Sequence, residues 1–231
     1  MKARLDFRKN PLFKGVNGCD IALLLGRARE KTAVRKSSFF HEGDPAAHCF
    51  LLIAGRLKLV QSNADGVQVA TRFVGPGEMF GWAGIMGGNG YPAAAQAMAD
   101  SLALCWDADV IRQAMLASSR LAVNALDLIG ARLREAQDRL RELATERVER
   151  RIARALLRLA ASATDGGEAS AAVTFDFPLS RQDLAEISGT TLYTVSRVLT
   201  GWEQAEIVRA GRQSLTLRNP AALAAMVEQA E

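Results

Sequence analysis

Side chains suited to metal or nucleophilic chemistry are few in this sequence. The two histidines are His41 and His48, and the three cysteines, Cys19, Cys49 and Cys105, are widely spaced with no CxxC pair. This spacing argues against a disulfide framework, a zinc ribbon and a four-thiolate iron–sulfur site. A cupin-type enzyme needs about three histidines and a carboxylate at one metal, and no Ser/His/Asp or Cys/His signature is present. The sequence therefore disfavours an enzyme, and a metal-dependent β-barrel enzyme of cupin type stays the alternative.

The stretch SRQDLAEISGTTLYTVSRVLTGWEQAEIV, residues 180–208, has the residue types and spacing of a helix-turn-helix. Ser180 is a suitable N-cap for a short helix. Gly189 allows the tight turn, and a second helix is expected to begin near Thr191. The apolar positions of both helices are expected to point inward; they are Leu184, Ala185, Ile187, Val195, Val198 and Leu199.

The outward face of the second helix carries Tyr193, Ser196 and Arg197. A recognition helix presents such side chains to base edges in the major groove of DNA. The following EIVRAGRQSLTLRNP contains two short β-like runs around Ala-Gly-Arg, a pattern that is typical of a wing. An ordinary helical hairpin is the alternative, but a hairpin does not explain why cap, turn, exposed Ser-Arg pair and wing occur in this order.

The elements before this segment change character along the chain. Residues 31–107 contain alternating runs such as RLKLVQ and VQVATRFV between DG, GPG and GGNG turns, which predicts a β-barrel or roll. From Asp109 to Leu143 a helical period with coiled-coil spacing predicts a dimer interface. Its residues are Ala122, Leu126, Ile129, Leu133, Ala136, Leu140 and Leu143. A helix packed on its own β-domain is the alternative, and a hinge is expected at Leu143 to Thr145, where the heptads stop.

The composition is that of a globular protein, with 49% hydrophobic and 23% charged residues. No apolar run reaches the ~20 residues that span a bilayer. No apolar segment follows the charged N-terminus, so we expect a cytoplasmic protein without a membrane partner. The net charge is +4, but the basic excess lies in residues 1–40. DNA binding near the C-terminus must therefore rely on locally placed arginines.

Two motifs carry a resemblance to the CRP/FNR family of bacterial transcription regulators. They are CFLLIAGRLKLVQ…GPGEMFG and the more specific RQDLAEISGTTLYTVSRVL. The resemblance covers the whole chain and implies an α+β fold with three parts. The first part is an N-terminal β-roll (1–108) of the cyclic-nucleotide-binding-like jelly-roll type. The second is a long dimerisation helix (109–144), and the third is a C-terminal winged helix-turn-helix (145–231). It also implies a homodimer on a palindromic site in double-stranded DNA, and RNA polymerase as a partner if the protein is an activator.

The resemblance assigns DNA-contacting roles to matching positions. Arg197 matches the arginine that reads guanine, and Ser196 matches the serine beside it. Tyr193 stands where the family usually has a glutamate, and Leu192 replaces an arginine of the cyclic-AMP branch, so the half-site is expected to differ from the best-known family sites. The expected phosphate contacts are Ser180, Arg181, Gln182, Thr191 and, in the wing, Arg209 and Arg212.

The effector pocket departs from the cyclic-AMP branch of the family. Residues 77–97, GEMFGWAGIMGGNGYPAAAQA, keep the backbone motif of the phosphate cradle. Trp82 replaces the glutamate that binds the ribose, and Pro92 and Ala93 replace the Arg-Ser pair that binds the cyclic phosphate. The expected pocket residues are Trp82, Tyr91, Pro92, Ala93 and, in place of the adenine contacts on the long helix, Ala136 and Gln137. Because a buried phosphate would lack a counter-charge, cyclic AMP is not the expected effector.

Two other cofactors are considered from the resemblance. The iron–sulfur branch has an N-terminal cysteine cluster, whereas this chain has Cys19 alone in that region. YPAAAQA and TTLYTVSR are similar to the nitric-oxide-responsive denitrification regulators, some of which are thought to use haem. Haem suits an apolar pocket and needs an axial ligand. The candidate ligands are His41 and His48, with Tyr91, Cys105 and Met98 as alternatives, although a turn or surface role also explains both histidines.

Overall fold

The structure, a computed structural model, describes residues 10–87, 90–163, 172–211 and 214–228. They form two compact units. We call residues 10–61 and 74–138 the N-terminal unit, and residues 62–73 and 139–228 the C-terminal unit.

The strands of the N-terminal half of the chain form two sheets. They are β1 (Arg29–Ala33), β2 (His48–Ala54), β3 (Leu57–Ser62), β4 (Gln68–Val74), β5 (Met79–Phe80), β6 (Ala94–Ala97) and β7 (Ser101–Asp107). The sheet orders are β1-β7-β2-β5 and β4-β3-β6. The paired strands β1–β7, β2–β7, β2–β5 and β3–β6 are antiparallel. The predicted β-roll is therefore confirmed.

An aromatic cluster forms one core of this unit and takes residues from both sheets. Phe50 of β2 stacks on Phe80 of β5 with ring centroids 4.9 Å apart, and Phe40 stacks on Tyr91 at 3.7 Å. Along β2, Phe50 and Leu52 face this cluster while Cys49 and Leu51 face the second core, because successive strand residues point to opposite faces of a sheet. The aromatic burial stabilises the scaffold that carries the segment 77–97.

A second core joins the helices of the unit to the other sheet face. The helices are α1 (Gly18–Gly26), α2 (Trp82–Gly87), α3 (Ala108–Ala117) and α4 (Ser119–Thr145), of which α4 continues into the C-terminal unit. Trp106 is fully buried there, and its indole N–H donates to the carbonyl of Leu24 at 2.8 Å. Asn124 of α4 donates to the carbonyls of Leu12 and Lys14 at 2.9 and 2.8 Å. The start of α4 is thereby fastened to the segment before α1.

The helical region is interrupted at Ser118, so the prediction of one helical period from Asp109 to Leu143 is wrong at this point. Ser118 has extended backbone angles (φ −127°, ψ 101°), and its N–H donates to the carbonyl of Ala114. Its carbonyl accepts the amide of Ala122 in the first turn of α4. Serine favours such a helix boundary because its hydroxyl competes for backbone groups.

In the part of the C-terminal unit that the structure describes, four further helices combine with a small sheet. Besides the end of α4 the unit contains α5 (Val148–Ala163), β8 (Val173–Thr174), α6 (Arg181–Ser188), α7 (Leu192–Gln204), β9 (Val208–Ala210), β10 (Leu215–Leu217) and α8 (Pro220–Glu228). The sheet order is β8-β10-β9, and β9 pairs antiparallel with β10. The hairpin after α7 is the predicted wing. The α+β fold class is confirmed in both units.

Candidate nucleic-acid interface and effector pocket

The helix pair α6–α7 is set by two caps and a glycine. The Ser180 hydroxyl accepts the Asp183 amide at 3.1 Å, while the Asp183 carboxylate accepts the Ser180 amide at 3.0 Å, which makes a complete capping box. Gly189 ends α6 in the left-handed conformation (φ 60°, ψ 46°), and Thr191 caps α7 by accepting the Thr194 amide at 3.2 Å. These local signals place the start of α7 where the sequence predicted it.

The second helix of the pair, α7, has one buried and one exposed face. Val195 and Leu199 are 0% and 1% exposed, respectively. Tyr193 is 77% exposed and Arg197 is also exposed, while Ser196 is half-buried. The outward orientation predicted for Tyr193 and Arg197 is therefore observed, and Leu192, 48% exposed, adds an apolar side chain to this face. Such a face offers a guanidinium for guanine and apolar groups for a thymine methyl.

The residues predicted to contact phosphates lie around this helix, and several of them already have protein partners. Arg181 lies 4.0 Å from Glu203. Gln182 donates to Glu186 at 3.1 Å. The Ser180 hydroxyl also donates to Asp183 at 2.6 Å, and the Thr191 hydroxyl bonds to Thr194 at 2.9 Å. Arg209 is exposed on β9, and Arg212 lies outside the described residues.

The residues predicted to line the effector pocket differ in burial. Tyr91 and Ala93 are buried in the N-terminal unit, Pro92 is exposed, and Trp82 is half-buried against the second core. The Tyr91 hydroxyl donates to the carbonyl of His48 at 2.6 Å and accepts its amide at 3.0 Å. Burial raises the pKa of Tyr91. Tyr91 is therefore held as a core residue, while the indole N–H of Trp82 is buried without a protein partner among the described residues.

A charged group of the same unit was missed by the sequence reasoning. Arg132 of α4 donates to Glu78 of the GEMFG motif at 3.1 Å and to Glu135 at 2.8 Å. Burial disfavours the charged guanidinium, but the two carboxylates outweigh it and raise the pKa of Arg132. The predicted adenine-side residues Ala136 and Gln137 lie one turn further along α4 and are exposed. Arg132 and Glu78 are 54 residues apart, so no local pattern indicates their pairing.

The predicted dimer stripe is exposed along α4. Leu126, Leu133 and Leu140 are 65%, 59% and 68% exposed, and Ile129 and Leu143 are also exposed. Ala122 is half-buried and Ala136 is exposed. Large apolar side chains repeated along one helix in water lose the free energy that burial would provide. They mark a face that a partner can cover.

Comparisons with known proteins decide the family. Residues 30–118 match the profile of the cyclic nucleotide-binding domain. Residues 150–226 match that of the Crp-like helix-turn-helix domain. The chain belongs to the CRP/FNR family of transcription regulators. It is therefore a DNA-binding regulator of the CRP/FNR type, and the helix pair α6–α7 lies within the matched helix-turn-helix domain.

Relatives match over most of the chain. The cyclic AMP receptor protein of Thermus thermophilus is 29% identical over 218 residues, which are 93% of this chain and 95% of the relative. The nitrogen fixation regulation protein FixK of Azorhizobium caulinodans is 29% identical over 191 residues, 82% of this chain and 75% of the relative. The structure of FixK2 from Bradyrhizobium japonicum superposes with a TM-score of 0.77 at 24% identity, covering 88% of this chain and 99% of that one.

The haem candidates of this CRP/FNR regulator are poorly placed for ligation. His41 is exposed in a turn, where its amide donates to Asp44. His48 Nδ1 lies 3.0 Å from Asp107 Oδ1, and that oxygen accepts a hydrogen bond from Arg29. Tyr91 is engaged by the backbone as above, and Cys105 and Met98 are buried in the core. The described residues contain no cluster of three or more His, Cys, Asp or Glu that could hold a metal ion. These placements do not fit a haem site.

No helix within the described ranges combines the length and the apolarity that crossing a membrane requires.

Proposed function

We propose that this regulator acts as a homodimer that reads a palindromic DNA site, with one recognition helix in each half-site. The exposed face of α7, with Arg197 and Tyr193 outward and Val195 buried behind them, is the observation that carries the proposal. Arg197 reads guanine through a bidentate contact to O6 and N7, and Tyr193 and Ser196 supply the neighbouring contacts. The residues around α7 orient it by binding phosphates, and they are Ser180, Arg181, Gln182, Thr191, Arg209 and Arg212.

Dimerisation occurs through the exposed apolar stripe of α4. Its large members, Leu126, Leu133 and Leu140, recur at seven-residue spacing and are each more than half exposed. Covering them with the same stripe of a second chain removes apolar area from water, at about 25 cal/mol per Å². Two copies related by a twofold axis then place two recognition helices about one DNA turn apart, which matches a palindrome.

The effector is not cyclic AMP in this proposal. Trp82, Pro92 and Ala93 offer no cation to a cyclic phosphate, and Arg132 is already paired with Glu78 and Glu135. Nitric oxide sensing through haem stays a hypothesis that rests on the sequence similarity alone, because the histidines do not fit a haem site. Titration of the purified protein with haem, followed by its visible absorption spectrum, tests this hypothesis. A saturable Soret band at about one haem per chain supports the hypothesis, and weak non-saturating binding contradicts it.

The remaining assignments follow from the regulatory role. We expect no catalytic activity, a cytoplasmic location, and RNA polymerase as a partner if the protein activates transcription. Selection from random DNA with the purified protein tests the central proposal. The recovered site is expected to be a palindrome.

Arg197 provides the residue-level test. Arg197→Ala is expected to weaken binding to the selected site by about 1–3 kcal/mol and to relax the preference at one base pair per half-site. The matched control is Arg218→Ala, an exposed arginine of the same unit that lies 3.6 Å from Glu206. It is expected to bind as the parent does. Failure to recover a palindrome, together with unchanged binding by Arg197→Ala, rejects the proposal.

A further inference from the structure

The last two turns of α4 belong to the C-terminal unit together with the β3–β4 loop and most of β4. Within α4 the unit starts at Arg139, and from the β3–β4 hairpin it includes residues 62–73. The guanidinium of Arg139 donates to two backbone carbonyls through the same nitrogen. One is that of Ala70 in β4, at 3.2 Å, and the other is that of Ile187 in the last turn of α6. A single half-buried side chain thus joins α4, the hairpin and the first helix of the helix-turn-helix.

A second arginine completes the C-terminal cap of α6. Arg151 of α5 donates to the carbonyl of Ser188 at 3.0 Å and to that of Gly189 at 3.3 Å. A third bond, to the carbonyl of Glu146 at 3.0 Å, ties it to the segment between α4 and α5. The last carbonyls of a helix lack intrahelical partners and carry partial negative charge, so cations stabilise this end. Three consecutive carbonyls, of residues 187–189, are therefore held by arginines of α4 and α5.

Packing and ion pairs also hold the end of α4 against the rest of the C-terminal unit. Glu142 is 6% exposed and pairs with Arg158 and, at 3.5 Å, with Arg154. Arg154 also pairs with Glu146 at 2.6 Å. Leu143 lies so close to Gly189 that a β-carbon at position 189 would be 2.8 Å from its Cδ2. The break between α4 and α5 is thus bridged by contacts on several sides.

We propose that Arg139 is a positioning residue for DNA recognition. It fastens α6 and the β3–β4 hairpin to the part of α4 that carries Leu140 and Leu143. The angle between the last two turns of α4 and the recognition helix is set by these contacts, and with it the separation of the two recognition helices in the proposed dimer. The contacts of Glu142 and Leu143 within the unit argue against the hinge that the heptad pattern predicts at Leu143 to Thr145. This inference rests on the proposed dimer on a palindromic site.

The test is the spacing between half-sites. DNA carrying two fixed half-sites with a spacer of randomised length is selected with the full-length parent, Arg139→Gln and Arg139→Lys. The parent is expected to select one spacer length, because a rigid joint fixes the separation of the recognition helices. Arg139→Gln is expected to select a broader range of spacers and to bind the parent spacer about tenfold more weakly, since it loses charged hydrogen bonds to two carbonyls. Arg139→Lys, which keeps the charge, is expected to lie between them.

Arg134→Gln is the matched control, because Arg134 is an exposed arginine of the same helix. It is expected to keep the parent spacing. Should Arg139→Gln reduce the folded fraction in far-ultraviolet circular dichroism, Arg139→Lys becomes the deciding variant. Weaker binding with an unchanged spacer preference overturns the positioning role, because a purely structural contribution lowers affinity at every spacer alike. Absence of a palindrome for the parent instead rejects the proposed function, so the two failures are distinguishable.

Discussion

Replacing Gly189 by alanine is expected to destabilise the C-terminal unit by about 2 kcal/mol. Gly189 has φ 60°, and a left-handed conformation costs a residue with a β-carbon about 1–2 kcal/mol. The new β-carbon would also lie 2.8 Å from Leu143 Cδ2. The end of the Leu143 side chain must then move away from the new β-carbon, which costs about 1 kcal/mol more. The lower entropy of the unfolded alanine chain offsets about 0.5 kcal/mol of this loss.

Gly201 is the matched control for this substitution. It lies inside α7, and a β-carbon there would have no heavy atom within 4 Å. Gly201→Ala is therefore expected to stabilise the protein by about 0.5–1 kcal/mol, because glycine costs this much in a helix interior. The two Gly→Ala changes lie 12 positions apart in one helix-turn-helix and have opposite expected signs.

Urea unfolding followed by far-ultraviolet circular dichroism, at one fixed protein concentration, measures both effects as shifts of the midpoint. Leu143→Ala in the Gly189→Ala background separates the two costs, because it removes the close contact and leaves the backbone strain. An unchanged or raised midpoint for Gly189→Ala refutes the reasoning about the turn. A cost that Leu143→Ala removes completely shows that the contact, not the backbone conformation, is responsible.

Two further predictions concern thiols and the buried ion pairs. About one thiol per native chain is expected to react with an aromatic disulfide reagent, because the thiolate is the nucleophile. Cys19 is exposed, whereas burial raises the pKa of Cys49 and of Cys105. In urea, which unfolds the chain, all three cysteines should react. Rapid reaction of all three thiols in the native protein contradicts the burial of Cys49 and Cys105. Glu142→Ala is expected to lower the unfolding free energy by about 1–3 kcal/mol, since it removes the shared carboxylate of two arginines. Glu149→Ala, an exposed control, should change it by less than about 0.5 kcal/mol, and equal effects of both substitutions contradict a role for the ion pairs.

The helix-turn-helix could be predicted from sequence because its signals are local. The cap at Ser180, the left-handed turn at Gly189 and the cap at Thr191 each depend on residues within a few positions. The inward positions Val195 and Leu199 follow from helical periodicity, and they are buried as expected.

In the effector region, the burial of each residue could not be predicted, because it does not depend on local signals. The residues of this region were assigned from a motif, but burial depends on what the rest of the chain places against them. Tyr91 became a core residue, stacked on Phe40 and bonded to His48, while Pro92 beside it stayed exposed. The break at Ser118 was also missed, because a helical period continues on both sides of it.

Local signals in the sequence are sufficient to predict the element types, the start of the helix α7 and the exposed face that carries Arg197. These follow from caps, turn glycines and periodicity, which act over a few residues. The tertiary structure alone decided that Arg132 pairs with Glu78 and that Arg139 binds carbonyls of residues 70 and 187. These partners are separated by dozens of residues. Hydrogen bonds over such separations leave no periodic signal in a sequence, so they can be recognised only after the chain has folded.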